Sequence, residues 1–141
     1  MTIILIQKPK DIEKCFEVFR ELRPHLKDQN SFLLQVYTQQ KEGYTLAAIF
    51  EEDQAAACIG YRVMTTLSWG KILYIDDLIT RDPFRKKGYG GKLLDHAIDE
   101  AKTLGCTQVH LDTGFTRHAA HRVYLNRGFQ LNCHHLSFLI K

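Results

Sequence analysis

Between residues 9 and 22 the apolar side chains fall at Ile12, Cys15, Phe16, Phe19 and Leu22, a spacing that predicts an amphipathic helix with Pro9 in its first turn. A second helix is predicted over residues 26–40, around Phe32, Leu33, Val36 and Tyr37. A short β-rich run, residues 2–7, precedes both. Three strands are predicted next, over residues 44–50, 55–67 and 72–80. The turn-forming stretches Glu51-Glu52-Asp53-Gln54 and Ser68-Trp69-Gly70-Lys71 separate them, which implies an antiparallel meander. Beyond Arg85 the period changes. Leu93, Leu94, Ala97, Ile98, Ala101 and Leu104 mark one face of a long helix that Gly105 stops. A strand over 109–113, a helix over 118–126 ending near Gly128, and one or two strands within 129–140 complete the reading. The order β-α-α-β-β-β-α-β-α-β predicts a mixed α/β fold with a central mixed sheet. Its one strand–helix–strand crossover makes the fourth and fifth strands parallel.

A chain of 141 residues, 45% apolar and 25% charged, has ordinary globular composition, and no repeat or linker divides it. A single domain over residues 1–141 is expected. The net charge of +3 is too small to suggest a nucleic-acid partner. The bases nevertheless bunch at Arg81, Arg85, Lys86, Lys87 and Lys92, which points to one anionic ligand rather than a polyanion. No apolar run approaches the ~18 residues of a membrane span, and the apolar start is too short for a secretion signal. Cys15, Cys58, Cys106 and Cys133 form no paired motif and read as free thiols. The expected location is the cytoplasm, with no membrane partner.

The strand that ends at Thr80 runs into Arg85-Lys86-Lys87-Gly88-Tyr89-Gly90-Gly91-Lys92, which opens the long helix. The first amides of a helix lack internal partners and carry partial positive charge. Glycines let the backbone approach a bulky anion, and the basic side chains add charge-assisted contacts. A diphosphate is the natural guest. Spelling excludes two nucleotide motifs. A P-loop needs Ser or Thr after its Gly-Lys, where this chain has Leu93, and a glycine where Lys86 stands. A dinucleotide fingerprint needs its third glycine at position 93 and an N-terminal βαβ unit.

What remains is Arg-x-x-Gly-x-Gly, here Arg85 to Gly90, and with it the chain resembles the GNAT superfamily of N-acetyltransferases. A second motif, Tyr124-Leu125-Asn126-Arg127-Gly128-Phe129, is similar to the family's Tyr-x-x-x-Gly-Phe and follows the small residue Ala120. The element order resembles the family's along nearly the whole chain. The resemblance implies splayed fourth and fifth strands and acetyl-CoA as cosubstrate, with its diphosphate on Arg85, Lys86, Lys87, Gly88, Tyr89, Gly90, Gly91 and Lys92. It implies that the pantetheine arm lies like an added strand along Leu78, Ile79 and Thr80. An Asn that family members carry seven residues before the tyrosine is Arg117 here, which is assigned to a cofactor phosphate instead.

Acetyl transfer to an amine needs a polarised thioester, an acceptor that loses a proton and a thiolate that gains one. The resemblance implies an oxyanion held by a backbone amide beside a bulge, and Tyr124 as the general acid. An unperturbed phenol keeps its proton at neutral pH. The resemblance implies an acid in this strand as the base, Asp76 or Asp77, acting directly or through a water chain. Adjacent strand residues point to opposite faces, so at most one should face the cleft; the reading leans to Asp76 and keeps both. Arg23 and His25, in the loop after the first helix, and Tyr61 on the third strand are candidate acceptor contacts. The seven histidines complete no metal-ligand set, and no metal is expected. Cys133 precedes His134, but adjacency in a strand separates their side chains and no other cysteine sits beside a histidine, so direct attack in a ternary complex is expected, on a small-molecule or protein amine. The alternative is a CoA-binding sensor or scaffold without turnover. The resemblance also implies homodimerisation through sheet edges or late strands.

Overall fold

The computed structural model describes residues 2–141. The element order is β1 (Ile3–Leu5), α1 (Pro9–Lys14), α2 (Phe16–Leu22), α3 (Gln29–Lys41), β2 (Tyr44–Glu51), β3 (Gln54–Thr66), β4 (Gly70–Thr80), a 3-10 turn (Asp82–Phe84), α4 (Tyr89–Thr103), β5 (Gln108–Leu111) and α5 (His118–Asn126). The five strands form one sheet in the order β1-β2-β3-β4-β5. The first three pairings are antiparallel and β4–β5 is parallel, so the expected mixed α/β sheet is present. Two compact units make up the chain, one running up to His110 and the other Leu111–Lys141. Among the described residues no helix is long and apolar enough to cross a membrane.

In the first unit, α1 to α3 cover one sheet face. Ile12, Cys15, Phe16, Val18, Phe19 and Leu22 meet Phe32 and Val36 of α3 and Leu46, Ala48, Cys58 and Ile79 of the sheet, all buried. The helix predicted over 9–22 is two short ones. At Cys15 the amide bonds the Ile12 carbonyl three residues back, tightening the ladder before α2 restarts with Phe19 N donating to Cys15 O. Arg23 is extended (φ −124°, ψ 78°), as a residue before proline must be, and this stops α2 at Leu22. Asp28 caps α3 by accepting from the Ser31 amide at 2.8 Å, so that helix starts at Gln29 rather than Leu26.

On the opposite face α4 buries Leu93, Leu94, Ala97 and Ala101. It ends as its glycine predicts. Gly105 is left-handed (φ +76°), its amide bonds Lys102 O, and Cys106 N bonds Ala101 O.

The ladder between β3 and β4 carries a bulge. Gly60 faces Asp77 and Tyr61 faces Ile75, so Asp76 is an extra residue with no partner across the ladder. Gly60 is required by its neighbour, because a Cβ there would fall on the phenol end of Tyr44. Gly60→Ala must displace that ring, and we expect it to lower stability by about 1–3 kcal/mol in urea unfolding. The bulkier Gly60→Val should cost more.

In the second unit α5 closes with a Schellman motif. Gly128 is left-handed (φ +92°), its amide bonds Leu125 O, and Phe129 N bonds Tyr124 O at 3.1 Å. The accompanying apolar contact is the Tyr124–Phe129 ring pair, 5.8 Å apart. The final strand expected within 129–140 is not formed: residues 129–141 have no regular secondary structure. An alternating apolar pattern specifies a strand only where a ladder accepts its amides and carbonyls, and here Leu131, Leu136, Phe138 and Ile140 are exposed.

Candidate active site

The basic turn is built as an anion cradle. Lys86 (φ +67°) and Gly88 (φ +80°) are both left-handed, and α4 begins without a side-chain cap. The first intrahelical bond there is Lys92 N to Gly88 O, so the amides of Tyr89, Gly90 and Gly91 precede the ladder. Arg85 is anchored by Nε donating to Thr80 O at 3.1 Å, with its other nitrogens 3.1 Å from Asp82 and 3.8 Å from Glu21. Glu51, at the end of β2, accepts from Lys87 Nζ (2.7 Å) and Tyr89 Oη (2.6 Å). The Lys87 and Tyr89 hydrogen bonds hold the Glu51 carboxyl below its ordinary range. These donors would suit a diphosphate, and a guest there would compete with Glu51 for Lys87. If acetyl-CoA places its diphosphate here, as the sequence resemblance implies, Glu51→Gln should tighten its binding about two- to fivefold, with the gain shrinking as salt rises. Calorimetry at two ionic strengths checks this.

The β4 segment beside the cradle is only partly covered on its β5 side. Thr107 N donates to Lys71 O at 2.8 Å, so β5 joins near the start of β4. Four residues of β5 extend roughly 13 Å, against roughly 36 Å for the eleven of β4. Leu78, Ile79 and Thr80 lie beyond that reach. They pair with β3 on the other side, opposite Ile59, Cys58 and Ala57.

The bulge changes the expected arrangement of the carboxylates. Asp76 and Asp77 are turned to the same side of the sheet instead of opposite sides, because the extra residue interrupts the alternation. Asp76 is clasped by Arg62 in a two-pronged pair, Nε to Oδ1 at 3.0 Å and Nη2 to Oδ2 at 2.8 Å. The Arg62 guanidinium lies over the Tyr44 ring, 5.6 Å from its centroid. The Tyr44 hydroxyl in turn donates to Asp77 Oδ2 at 2.8 Å. Burial pushes the Asp76 carboxyl above its ordinary range, with Arg62 opposing. Burial, then the charge and hydrogen bond of Asp77, raise the Tyr44 phenol well above its ordinary value. Ile75, paired with Tyr61, lies on the α4 side.

Asp77 also receives Arg23, through Nη2 at 2.8 Å and Nε at 3.2 Å, both on Oδ1. These groups border a cavity of about 250 Å³, lined among others by Arg23, His25, Gln35, Gln39, Tyr44 and Asp77 over an apolar floor that includes Phe19 and Phe32. Asp77 is the carboxylate in that lining, and Asp76 is not part of it. The cavity brings Arg23 and His25 together. It does not include Tyr61, which is buried on the α4 side with its hydroxyl 3.5 Å from His96 Nε2 and its pKa pushed up to about 12 by burial and Glu100.

Sequence reasoning missed Tyr44, Gly60 and Glu51. Tyr44 was legible only as the start of a strand, and nothing local marks a phenol that reaches 33 residues along the chain. In the second unit, Tyr124 is half-buried on α5, where burial raises its phenol above the ordinary value and Arg117 opposes. Arg117 is the residue before α5, with its backbone carbonyl accepting from His121 N. Among the described residues, no group of three or more His, Cys, Asp or Glu is placed to hold a metal ion.

A family model described as the acetyltransferase (GNAT) family matches residues 10–129. The chain belongs to the GNAT acetyltransferase family. It is 37% identical over 120 residues to the uncharacterized N-acetyltransferase YhdJ of Bacillus subtilis (strain 168), a match that covers 84% of each chain. Among solved structures, it is similar to a transcriptional regulator from Bacillus halodurans (TM-score 0.87, 19% identity, 99% of both chains). It is also similar to a GNAT family acetyltransferase of Staphylococcus aureus (TM-score 0.82, 19% identity, 99% of this chain and 100% of that one). A glucosamine-6-phosphate N-acetyltransferase from Arabidopsis thaliana shares the fold as well (TM-score 0.77, 20% identity, 100% of both chains). This GNAT chain is thus an acyltransferase enzyme.

Proposed function

We propose that this acetyltransferase moves an acetyl group from acetyl-CoA directly to a primary amine held in the Arg23–Asp77 cavity. The carrying observation is the juxtaposition, within one unit, of an anion cradle at Arg85–Lys92, an uncovered β4 edge at Leu78–Thr80 and a carboxylate cavity one residue before that edge. Acetyl-CoA supplies an activated thioester. Arg85, Lys86, Lys87 and Lys92 would hold its diphosphate together with the Gly88–Gly91 backbone, and Arg117 is proposed for a further phosphate. Backbone groups of Leu78 to Thr80 would align the arm.

The acceptor nitrogen attacks the thioester carbonyl carbon and the carbon–sulfur bond breaks. Asp77 is proposed to accept the amine proton. Asp76, clasped by Arg62, holds the bulge that aims Asp77. A backbone amide at the bulge is proposed to stabilise the oxyanion. For the thiolate, the resemblance points to Tyr124 as the proton donor. The reading is tested by following thiol release from acetyl-CoA across a broad set of amines. Release that depends on amine supports it; acetyl-CoA binding without release under any amine favours a CoA-binding sensor.

A homodimer is also proposed, supported by the apolar side chains that residues 131–140 expose. Sedimentation should show a dimer, and charged substitutions at Leu136 and Phe138 should return it to monomer.

A further inference from the structure

The two arginines beside the bulge are held differently, and the difference bears on the acceptor. Arg62 and Asp76 form a full fork in which each carboxylate oxygen takes its own nitrogen, and both side chains are about three-quarters covered, with 24% and 22% exposure. Arg23 instead places two nitrogens on the single oxygen Oδ1 of Asp77 and donates from Nη2 to the Asp76 carbonyl at 3.1 Å, while Oδ2 of Asp77 is taken by Tyr44. Its side chain is 41% exposed and that of Asp77 11% exposed. A guanidinium gains most from two parallel bonds to two oxygens. The Arg23–Asp77 contact falls short of that, so a two-oxygen anion would offer the more exposed Arg23 a fork that Arg62 already has.

Charge in the cavity narrows the guest further. Its lining offers one guanidinium and one carboxylate, with the imidazole of His25 and the amides of Gln35 and Gln39 as further hydrogen-bonding groups. A polycationic amine would bring several positive charges to a single carboxylate already facing Arg23. An amine that also carries an anion matches both ends. Its ammonium replaces Arg23 at Asp77, and its carboxylate or phosphate takes the fork of Arg23, leaving no buried charge unpaired. A volume of about 250 Å³ suits a guest of amino-acid size.

We infer that the acceptor of this enzyme is a small amine bearing a carboxylate or phosphate, held with its anion on Arg23 and its nitrogen on Asp77. The inference takes its amine from the acetyl-transfer reading, while the anion clamp stands on the cavity itself. The test compares matched pairs: α-amino acids against their decarboxylated amines, and aminoalkyl phosphates against the corresponding amino alcohols. Thiol release and the shift in melting temperature are both read. In the wild-type enzyme the anionic member of the better pair should have a kcat/KM about ten- to a hundredfold higher. Arg23→Gln should bring the ratio close to one, and Arg23→Lys should keep part of it. Which pair responds distinguishes carboxylate from phosphate. The inference is overturned if neutral or polycationic amines are preferred, if Arg23→Gln lowers both members of a pair equally, or if no anionic amine either reacts or raises the melting temperature. A melting shift that needs Arg23 without thiol release would uphold the clamp and overturn acetyl transfer instead.

Discussion

Gly90→Glu is expected to weaken acetyl-CoA binding by about a hundredfold or more, while the protein melts no lower than the wild type. The two halves of this expectation have separate causes. Gly90 lies in the first turn of α4, and a Cβ there would meet only Thr80 Oγ1 at 3.6 Å, an ordinary contact. Glutamate is a better helix former than glycine, and a negative charge in the first turn complements the helix dipole. The fold therefore tolerates the change. The proposed phosphates do not, because the carboxylate would occupy their place and repel them. Gly90→Ala, which adds bulk without charge, should lose much less. Calorimetric titration with acetyl-CoA and a melting curve on the same sample check both halves. Retained affinity in the glutamate variant would remove the diphosphate from this turn.

Tyr124→Phe should lower kcat about a hundredfold, the size of effect that a positioned proton donor supplies. The ring contact with Phe129 and the backbone cap at Gly128 do not involve the hydroxyl, so folding should be unaffected. The pH profile carries the sharper test. A general acid works while protonated, and burial holds the Tyr124 phenol above its usual value of about 10. Wild-type activity should thus persist through neutral pH and fall only as pH rises through that alkaline range. The phenylalanine variant should lack this alkaline limb. An unchanged rate would leave Tyr124 as a packing residue at the end of α5.

Most of the fold was legible because its elements carry their own punctuation. Gly105 and Gly128 announce helix ends with left-handed caps, and Pro24 fixes the end of α2 through Arg23. The basic turn was legible because glycines and bases at fixed spacing sit between a strand and a helix. The carboxylate face was not. Period-two alternation sent Asp76 and Asp77 to opposite sides, and no local signal revealed that β3 skips one residue opposite them. Beside that skip Tyr44 fills the space above Gly60, a contact between residues 16 apart in sequence. The tail beyond Phe129 failed for the complementary reason, since its alternation was real but strand formation needs a partner that periodicity does not supply.

On either side of Asp76 the ladder continues as though that residue were absent: Ile75 faces Tyr61 and Asp77 faces Gly60, neighbours on β3. Position 76 is therefore outside the alternation that decides which β4 side chains enter which half of the core. A relative could change the residue there, or lose it altogether, and every later side chain of β4 would keep its side of the sheet. What would change is the partner left to Arg62 and the angle at which Asp77 meets the proposed acceptor. Acceptor preference in such a lineage could drift at one position while the buried framework stayed as it was.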